Sequence, residues 1–130
     1  MVGYFSSRLD TINDFYLRAD VYVAPSVWNE PLGLVILEAM VNKTPVVVSR
    51  KGGVTTLVKD GYNGFLVRPR SPKLIVEKVN LLLQDEKLAE RMGERAYKTV
   101  TEKFSWDKIA TKFYNLYDKC LQKPPLNHKK

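Results

Sequence analysis

One segment in the first half of the chain, residues 20–49, constrains the fold more than any other. Two valine-rich runs, 20–25 and 45–49, predict strands, and the apolar stretch between them predicts a helix. A strand, a loop containing Pro31 and Gly33, an apolar helix and a second strand form the order of a βαβ unit. The sequence therefore predicts an α/β fold with a parallel sheet.

Two glutamates mark the start and the body of this helix. Glu30 and Glu38 are separated by seven residues, none of which is charged. In parallel sheets, ligands bind at the carboxyl ends of strands near helix N-termini, which is where Glu30 falls. From Gly33 to Glu38 a helix rises roughly 7–8 Å, a separation similar to that between a diphosphate and a neighbouring sugar.

The predicted helix start suits an anion. Proline is favoured in a first turn, and Gly33 lets a ligand approach the backbone closely. The free N–H groups of Leu32, Gly33 and Leu34 are expected to point outward with the helix dipole behind them, which favours a phosphate. A carboxylate nearby accepts hydrogen bonds from hydroxyls, each worth about 1.5–3 kcal/mol. The segment therefore fits a sugar nucleotide, with one glutamate for the hexose hydroxyls and one for the ribose.

Both glutamates also have structural explanations. Glu30 would be an acid favoured by the helix dipole, at about 0.3–1 kcal/mol, and Glu38 could face solvent. However, Glu38 is the one charged residue between Pro31 and Asn42, so this helix has almost no polar face and is expected to be buried. A carboxylate on a buried helix requires a partner or a ligand. Spacing alone leaves both explanations open.

Several motifs that stand in a fixed order carry a family resemblance over most of the chain. They are residues 19–26, 30–33, 38–40, 45–47, 52–53, 60–67 and 104–106. Together they resemble the group 1 family of retaining glycosyltransferases with the two-domain GT-B architecture, in the branch that includes bacterial and archaeal glycogen synthases. The resemblance implies a Rossmann-like parallel sheet flanked by helices, with two or three further helices at its C-terminal end.

The resemblance also implies roles for the site residues. Glu30 would lie beside the donor sugar as the catalytic residue, and Glu38 would hold the ribose hydroxyls. Backbone N–H groups near Leu32, Gly33 and Leu34 would meet the diphosphate and sugar. Enzymes of this kind move a sugar from a nucleotide diphosphate sugar to a hydroxyl, retain the anomeric configuration, and need no metal or other cofactor. No cluster of residues with metal-ligand spacing occurs in the sequence.

Some positions depart from the family pattern. Lys43 stands where the family usually has a glycine, and we expect Asn42 to form the left-handed turn instead. Thr56 replaces a usual glutamate, and Arg70 and Ser71 stand where an acidic residue or glycine is common. None of these positions touches the glutamate pair.

The length of 130 residues is enough for one domain. By the resemblance, residues 1–121 form part of the donor-binding domain and residues 122–130 a polar tail, while the acceptor domain and the first part of the donor domain are missing. We therefore expect donor binding with little or no turnover by this chain alone, so whether it is an enzyme stays open. The alternative is a non-catalytic interaction module that has kept the fold. A third interpretation, a generic doubly wound nucleotide domain, lacks support because this sequence has no glycine-rich phosphate loop.

The remaining segments predict helices. They cover residues 8–19, a short helix at 55–59 stopped by Gly61, one that starts at Ser71, one capped by Asp85 that runs to about Lys103, and one capped by Ser105. An apolar stripe on the last helix is expected to be core, and Cys120 on that stripe to be a buried thiol without a disulfide partner.

Charge and composition bound the partners. All of the net charge of +7 lies in residues 66–130, which carry 15 Lys and Arg against 8 Asp and Glu. Acids interleave with these cations along amphipathic helices, which argues against nucleic acid and allows at most peripheral membrane contact. Part of the last helix is expected to lack cover, so a missing N-terminal domain or self-association is a candidate partner. Without a membrane span or signal peptide, the expected location is cytoplasmic.

Overall fold

The computed structural model is an α/β fold built on a sheet of parallel strands. It describes residues 9–29 and 33–121, with side chains for residues 14–29 and 33–119. The elements, in chain order, are α1 (Leu9–Arg18), β1 (Tyr22–Ala24), α2 (Leu34–Val41), β2 (Val46–Ser49), α3 (Val54–Leu57), β3 (Phe65–Val67), α4 (Pro72–Gln84), α5 (Glu86–Lys103) and α6 (Trp106–Leu121). The strand order is β1-β2-β3, and both pairings are parallel. The predicted fold class is confirmed.

The central strand β2 is buried on both faces. Its residues Val46, Val47, Val48 and Ser49 are each no more than 3% exposed. Because successive side chains of a strand point to opposite faces, Val46 and Val48 pack with α2 and α3 and Val47 packs with α4, while α5 contributes to both clusters. Helices therefore cover both sides of the sheet, and α2 is held against one of them.

The helix boundaries differ from the predictions at two places. The helix expected from Pro31 begins at Leu34, and the short helix expected at 55–59 is α3, which ends at Leu57. Val58 is extended (φ −99°, ψ 123°), and its side chain is buried in the core cluster that contains Val46 and Val48. Gly61 does adopt a left-handed conformation (φ +73°), but in the turn that follows rather than at the helix end.

The junction after α2 rests directly on α5. Lys43, not Asn42 as predicted, takes the left-handed conformation (φ +61°). That conformation costs an L-residue about 1–2 kcal/mol. The Lys43 side chain has compensating contacts, because its Nζ lies 2.7 Å from Glu94 Oε1 and 5.3 Å from the centre of the Tyr97 ring. The Asn42 side-chain amide donates to the Glu38 carbonyl at 2.8 Å, so Asn42 caps the helix and the left-handed residue follows it.

The last three helices begin in different ways. Ser71 precedes α4, but its hydroxyl makes no cap bond, contrary to the prediction. Asp85 caps α5 by accepting from the Leu88 N–H at 3.0 Å, and Ser105 Oγ accepts from the Lys108 N–H at 3.4 Å, as predicted.

The apolar stripe of α6 is largely exposed, so the expectation that it forms core is wrong for most of the helix. Trp106 is 84% exposed, and Phe113, Leu116 and Tyr117 are each more than half exposed. Among the stripe residues whose side chains the structure describes, Ile109 alone is partly covered. The narrower expectation that the region of Phe113 and Tyr117 lacks cover agrees with this exposure. The Cys120 side chain and residues 122–130 lie outside what the structure describes.

Gly93 lets α5 approach the α2 junction closely, and we predict that Gly93→Ala destabilises the protein. A Cβ at this position would lie 2.0 Å from the Lys43 carbonyl oxygen, so the two helices would have to separate. Overpacking of this kind costs about 1–3 kcal/mol in the free energy of unfolding, measured by urea denaturation.

The control is Gly61→Ala. A Cβ there meets nothing within 4 Å, so only its left-handed backbone opposes the change. Gly93→Ala should therefore be the more destabilising of the two. Because alanine is otherwise favoured over glycine within a helix, a Gly93→Ala variant as stable as the parent would refute the close contact.

Candidate functional site

The start of α2 has the geometry of an anion site. Gly33 precedes the helix in a left-handed conformation (φ +69°, ψ 74°), and its carbonyl accepts from the Ile36 N–H at 2.9 Å. The N–H groups of Leu34 and Val35 precede the first acceptors of the helix, so they are available to a ligand. A glycine is needed here for its backbone conformation, in addition to the open approach that the sequence predicted.

Glu38 lies on the same helix, five residues after Gly33. Its carboxylate oxygen Oε2 accepts a hydrogen bond of 3.0 Å from the Tyr16 hydroxyl on α1. Tyr16 is itself well fixed, because its carbonyl accepts from Thr44 Oγ1 at 2.7 Å and its ring meets the Tyr22 ring edge-to-face at 5.7 Å. The carboxylate is therefore oriented by a side chain that is anchored to the core.

The environment of Tyr16 keeps its hydroxyl protonated. Burial, followed by the hydrogen bond to Glu38 and the negative charge of that carboxylate, raises the pKa of Tyr16 to about 12. Tyr16 thus remains a hydrogen-bond donor to Glu38 throughout the neutral range. One oxygen of Glu38 is engaged by this hydroxyl, and the exposed carboxylate retains further acceptor capacity for hydroxyls of a ligand.

The surroundings of Glu38 differ from the prediction. The helix was expected to be buried all round, but Leu34 is 71% exposed and Glu38 is exposed as well. This side of α2 forms one wall of an open groove of about 450 Å³ against α5 and α6. The groove is otherwise apolar in the described part of the chain; its lining residues are Leu34, Leu37, Glu38, Val41, Val100, Phe104, Trp106 and Ile109. The expected partner of the carboxylate exists, and it is Tyr16.

Of the predicted site residues, the structure brings Gly33, Leu34 and Glu38 together on α2. Glu30 and Leu32 lie outside the described residues. Sequence reasoning missed the role of Tyr16, which falls within the helix predicted over residues 8–19. The sequence did contain a signal for this role. A tyrosine at a partly buried position usually hydrogen-bonds a polar partner, so Tyr16 could have been matched with Glu38.

The described part of the chain has neither a metal-binding cluster nor a membrane span. Among the side chains of residues 14–29 and 33–119, no group of three or more His, Cys, Asp or Glu is arranged to hold a metal ion. Over the same part of the chain, no helix is long and apolar enough to cross a membrane.

Comparison with known proteins identifies the class to which this fold and site belong. A family model described as "Glycosyl transferases group 1" matches residues 2–99. The chain belongs to this family of glycosyltransferases, and its sheet and helices have the GT-B type of fold. The resemblance to group 1 glycosyltransferases of the GT-B type is confirmed.

Individual relatives are similar over most of this chain. An uncharacterised glycosyltransferase of Methanocaldococcus jannaschii is 45% identical over 108 residues, which are 83% of this chain and 27% of the relative. Anabaena HepE, solved in complex with UDP-glucose, is 28% identical with a TM-score of 0.80, over 86% of this chain and 30% of HepE. The C-terminal domain of LpcC, a group 1 family protein of Francisella tularensis, is 32% identical with a TM-score of 0.73. The match covers 81% of this chain and 53% of the LpcC chain. The chain thus spans less than a third of the first two relatives.

We predict that one tyrosine of this protein ionises near pH 12 and that Glu38→Gln lowers its pKa. The substitution removes the negative charge but leaves the burial, which is the largest cause, so the pKa should stay above the ordinary value of 10.0. Phenolate absorbance during a pH titration measures it, and the difference between the parent and Tyr16→Phe isolates Tyr16 from the other tyrosines.

The same shift sets a stability window. Because the folded-state pKa is raised, the contribution of Tyr16 is complete below pH 10 and is lost as the pH rises through about 12. A Tyr16 pKa that Glu38→Gln leaves unchanged would contradict the hydrogen bond between the two side chains.

Proposed function

We propose that this chain binds a nucleotide diphosphate sugar as the donor-binding part of a retaining, metal-independent glycosyltransferase. The observation that carries the proposal is the arrangement on α2, where the left-handed Gly33 opens the helix and the exposed, oriented carboxylate of Glu38 follows five residues later. This places hydrogen-bond donors for a phosphate and an acceptor for hydroxyls on one rigid element, separated by roughly 7–8 Å.

Each group has a proposed role. The backbone N–H groups near Leu32, Gly33 and Leu34 bind the diphosphate, and Glu38 accepts hydrogen bonds from the ribose hydroxyls. Glu30 lies beside the donor sugar and is the proposed catalytic residue. Negative charge develops on the leaving diphosphate during transfer, and the N–H groups at the helix start stabilise that charge without a metal ion.

The similarity to HepE supports this assignment. HepE structures contain UDP-glucose, UDP with glucose, and UDP alone. Each of them matches 86% of this chain. UDP-glucose is therefore the appropriate first probe.

We predict that UDP-glucose shifts the amide resonances of Gly33, Leu34 and Val35 and that Glu38→Ala weakens its binding by about tenfold or more. The loss follows from removing hydrogen bonds to a charged acceptor, which are worth about 1.5–3 kcal/mol. Nuclear magnetic resonance titration of the 130-residue chain measures both the location and the affinity.

Two further variants make this test specific. Tyr16→Phe removes the hydroxyl that orients Glu38 but keeps the carboxylate, so binding should weaken by less than in Glu38→Ala. Glu90→Ala removes an equal charge from an exposed position on α5 and should leave the affinity unchanged. If Glu90→Ala and Glu38→Ala weaken binding equally, the site is not at Glu38. Absence of nucleotide binding at millimolar concentration would favour the alternative, a non-catalytic interaction module.

We further propose that transfer is completed only against an acceptor-binding domain, with the exposed apolar face of α6 as the surface that contacts it. Trp106, Phe113 and Tyr117 on this face are each more than half exposed, which is unusual for large apolar side chains grouped on one helix. Self-association through the same face is the competing use, and analytical ultracentrifugation over a concentration series would reveal it.

We predict that the purified chain alone does not transfer glucose from UDP-glucose to a hydroxyl acceptor, although it binds the donor. A site with one open side cannot exclude water or position an acceptor, both of which transfer requires. Release of UDP with formation of a glycoside, followed by mass spectrometry, is the measurement. Robust glycoside formation by the isolated chain would contradict this part of the proposal.

A further inference from the structure

A second site lies at the carboxyl end of β3, where the chain turns into α4. An open cavity of about 440 Å³ occupies this place, within the range of small-ligand sites. Its described lining contains three cations, one hydroxyl and no acid; the residues are Arg68, Arg70, Ser71, Pro72, Lys73 and Leu74.

The positive charge of this cavity is not compensated. The sequence contains no acid between Asp60 and Glu77. Asp60 pairs with Arg50 at 3.5 Å, and Glu77 pairs with its neighbour Lys78 at 2.8 Å, so both flanking acids are engaged elsewhere. Among the described residues, the cations that line the cavity make no ion pair. Concave surfaces lined by one sign of charge concentrate the opposite charge.

The chemistry of the lining selects oxyanions. Two guanidinium groups offer planar pairs of N–H donors, and Lys73 offers an ammonium group, all suited to phosphate oxygens. The Ser71 hydroxyl makes no cap bond to α4 and is free to donate as well. The positive end of the α4 dipole adds to the same potential. The lining therefore fits a phosphate group better than a neutral sugar or an apolar ligand.

The cavity is separate from the start of α2. Strands β1 and β3 lie on either side of β2, so their carboxyl ends are roughly 10 Å apart at the usual strand spacing. No residue lines both this cavity and the groove beside α2, so we assign a phosphate at this cavity to a second molecule. Resting on the proposed function, we propose that the cavity bounded by Arg68, Arg70 and Lys73 binds a phosphate group carried by the acceptor substrate.

The first experiment titrates the 130-residue chain with inorganic phosphate at low ionic strength and follows amide resonances. The expected result is a set of shifts confined to residues 68–74, with affinity that falls as salt is added. Arg70→Gly should weaken binding about fivefold, as expected for one exposed charge pair. This variant retains the fold, because Arg70 has φ +58°, a conformation that glycine adopts more readily.

The matched control is Arg91→Gln, which removes one positive charge from an exposed position on α5. It should leave phosphate affinity unchanged. An equal loss in Arg91→Gln and Arg70→Gly, or shifts spread over all basic surfaces, would mean that phosphate responds only to the net charge, and would overturn the proposal. Absence of shifts at residues 68–74 would overturn it too.

Two arms separate this site from the donor site. Glu38→Ala should bind phosphate like the parent chain. Phosphate binding at the cavity is therefore tested independently of donor binding at Glu38. Chain saturated with UDP-glucose should still show the phosphate shifts. If UDP-glucose abolishes them, the cavity belongs to the donor and the acceptor assignment is wrong.

A vesicle arm distinguishes the source of the phosphate. Vesicles of phosphatidylcholine with phosphatidylglycerol are compared in co-sedimentation with vesicles of phosphatidylcholine alone. Sedimentation that needs phosphatidylglycerol and Arg70 supports a phosphate on a lipid-linked acceptor. Phosphate binding without vesicle binding supports a soluble phosphorylated acceptor.

Discussion

Burial of β2 on both faces is the constraint on which the rest of the structure depends. A strand that excludes water on both sides must be covered on both faces, here by helices, and the two neighbours of β2 pair with it in parallel. Val46 and Val48 pack with α2 and α3 on one face, Val47 packs with α4 on the other, and α5 contributes side chains to both clusters. All the loops at the carboxyl ends of the strands therefore lie along one edge of the sheet, and both proposed ligand sites lie along that edge.

The two proposed sites differ in how their charges are managed. Glu38 is held by Tyr16, whose own position is fixed by Thr44 and Tyr22, so the carboxylate is oriented before any ligand arrives. Preorganisation of this kind lowers the entropic cost of binding. At the end of β3 the lining cations Arg68, Arg70 and Lys73 make no ion pair within the described part of the chain. The site at Glu38 is thus polar and preorganised, whereas the cavity after β3 carries positive charge without an acidic partner.

Much of this architecture could be predicted, and the errors have physical causes. The valine runs predicted β1 and β2, and Asp85 and Ser105 were recognised as helix caps, because these signals are local. Asn42 was expected to adopt the left-handed turn that Lys43 adopts, since propensity favours asparagine. Lys43 instead follows the cap in the left-handed conformation, where it contacts Glu94 and Tyr97, some fifty residues away in sequence. The exposure of the α6 stripe was likewise underestimated, because periodicity indicates which face is apolar and not whether anything covers it.

The sequence by itself determined the fold class, the family and the candidate positions Gly33 and Glu38, because each depends on residue type, order and local spacing. Only the tertiary structure decided that Tyr16 orients Glu38, that Gly93 admits the Lys43 carbonyl, and that Arg68, Arg70 and Lys73 share one cavity without an acid. These are contacts or groupings in space, and two of them join separate elements. Their formation depends on how helices pack on the sheet, which no local pattern in the chain specifies.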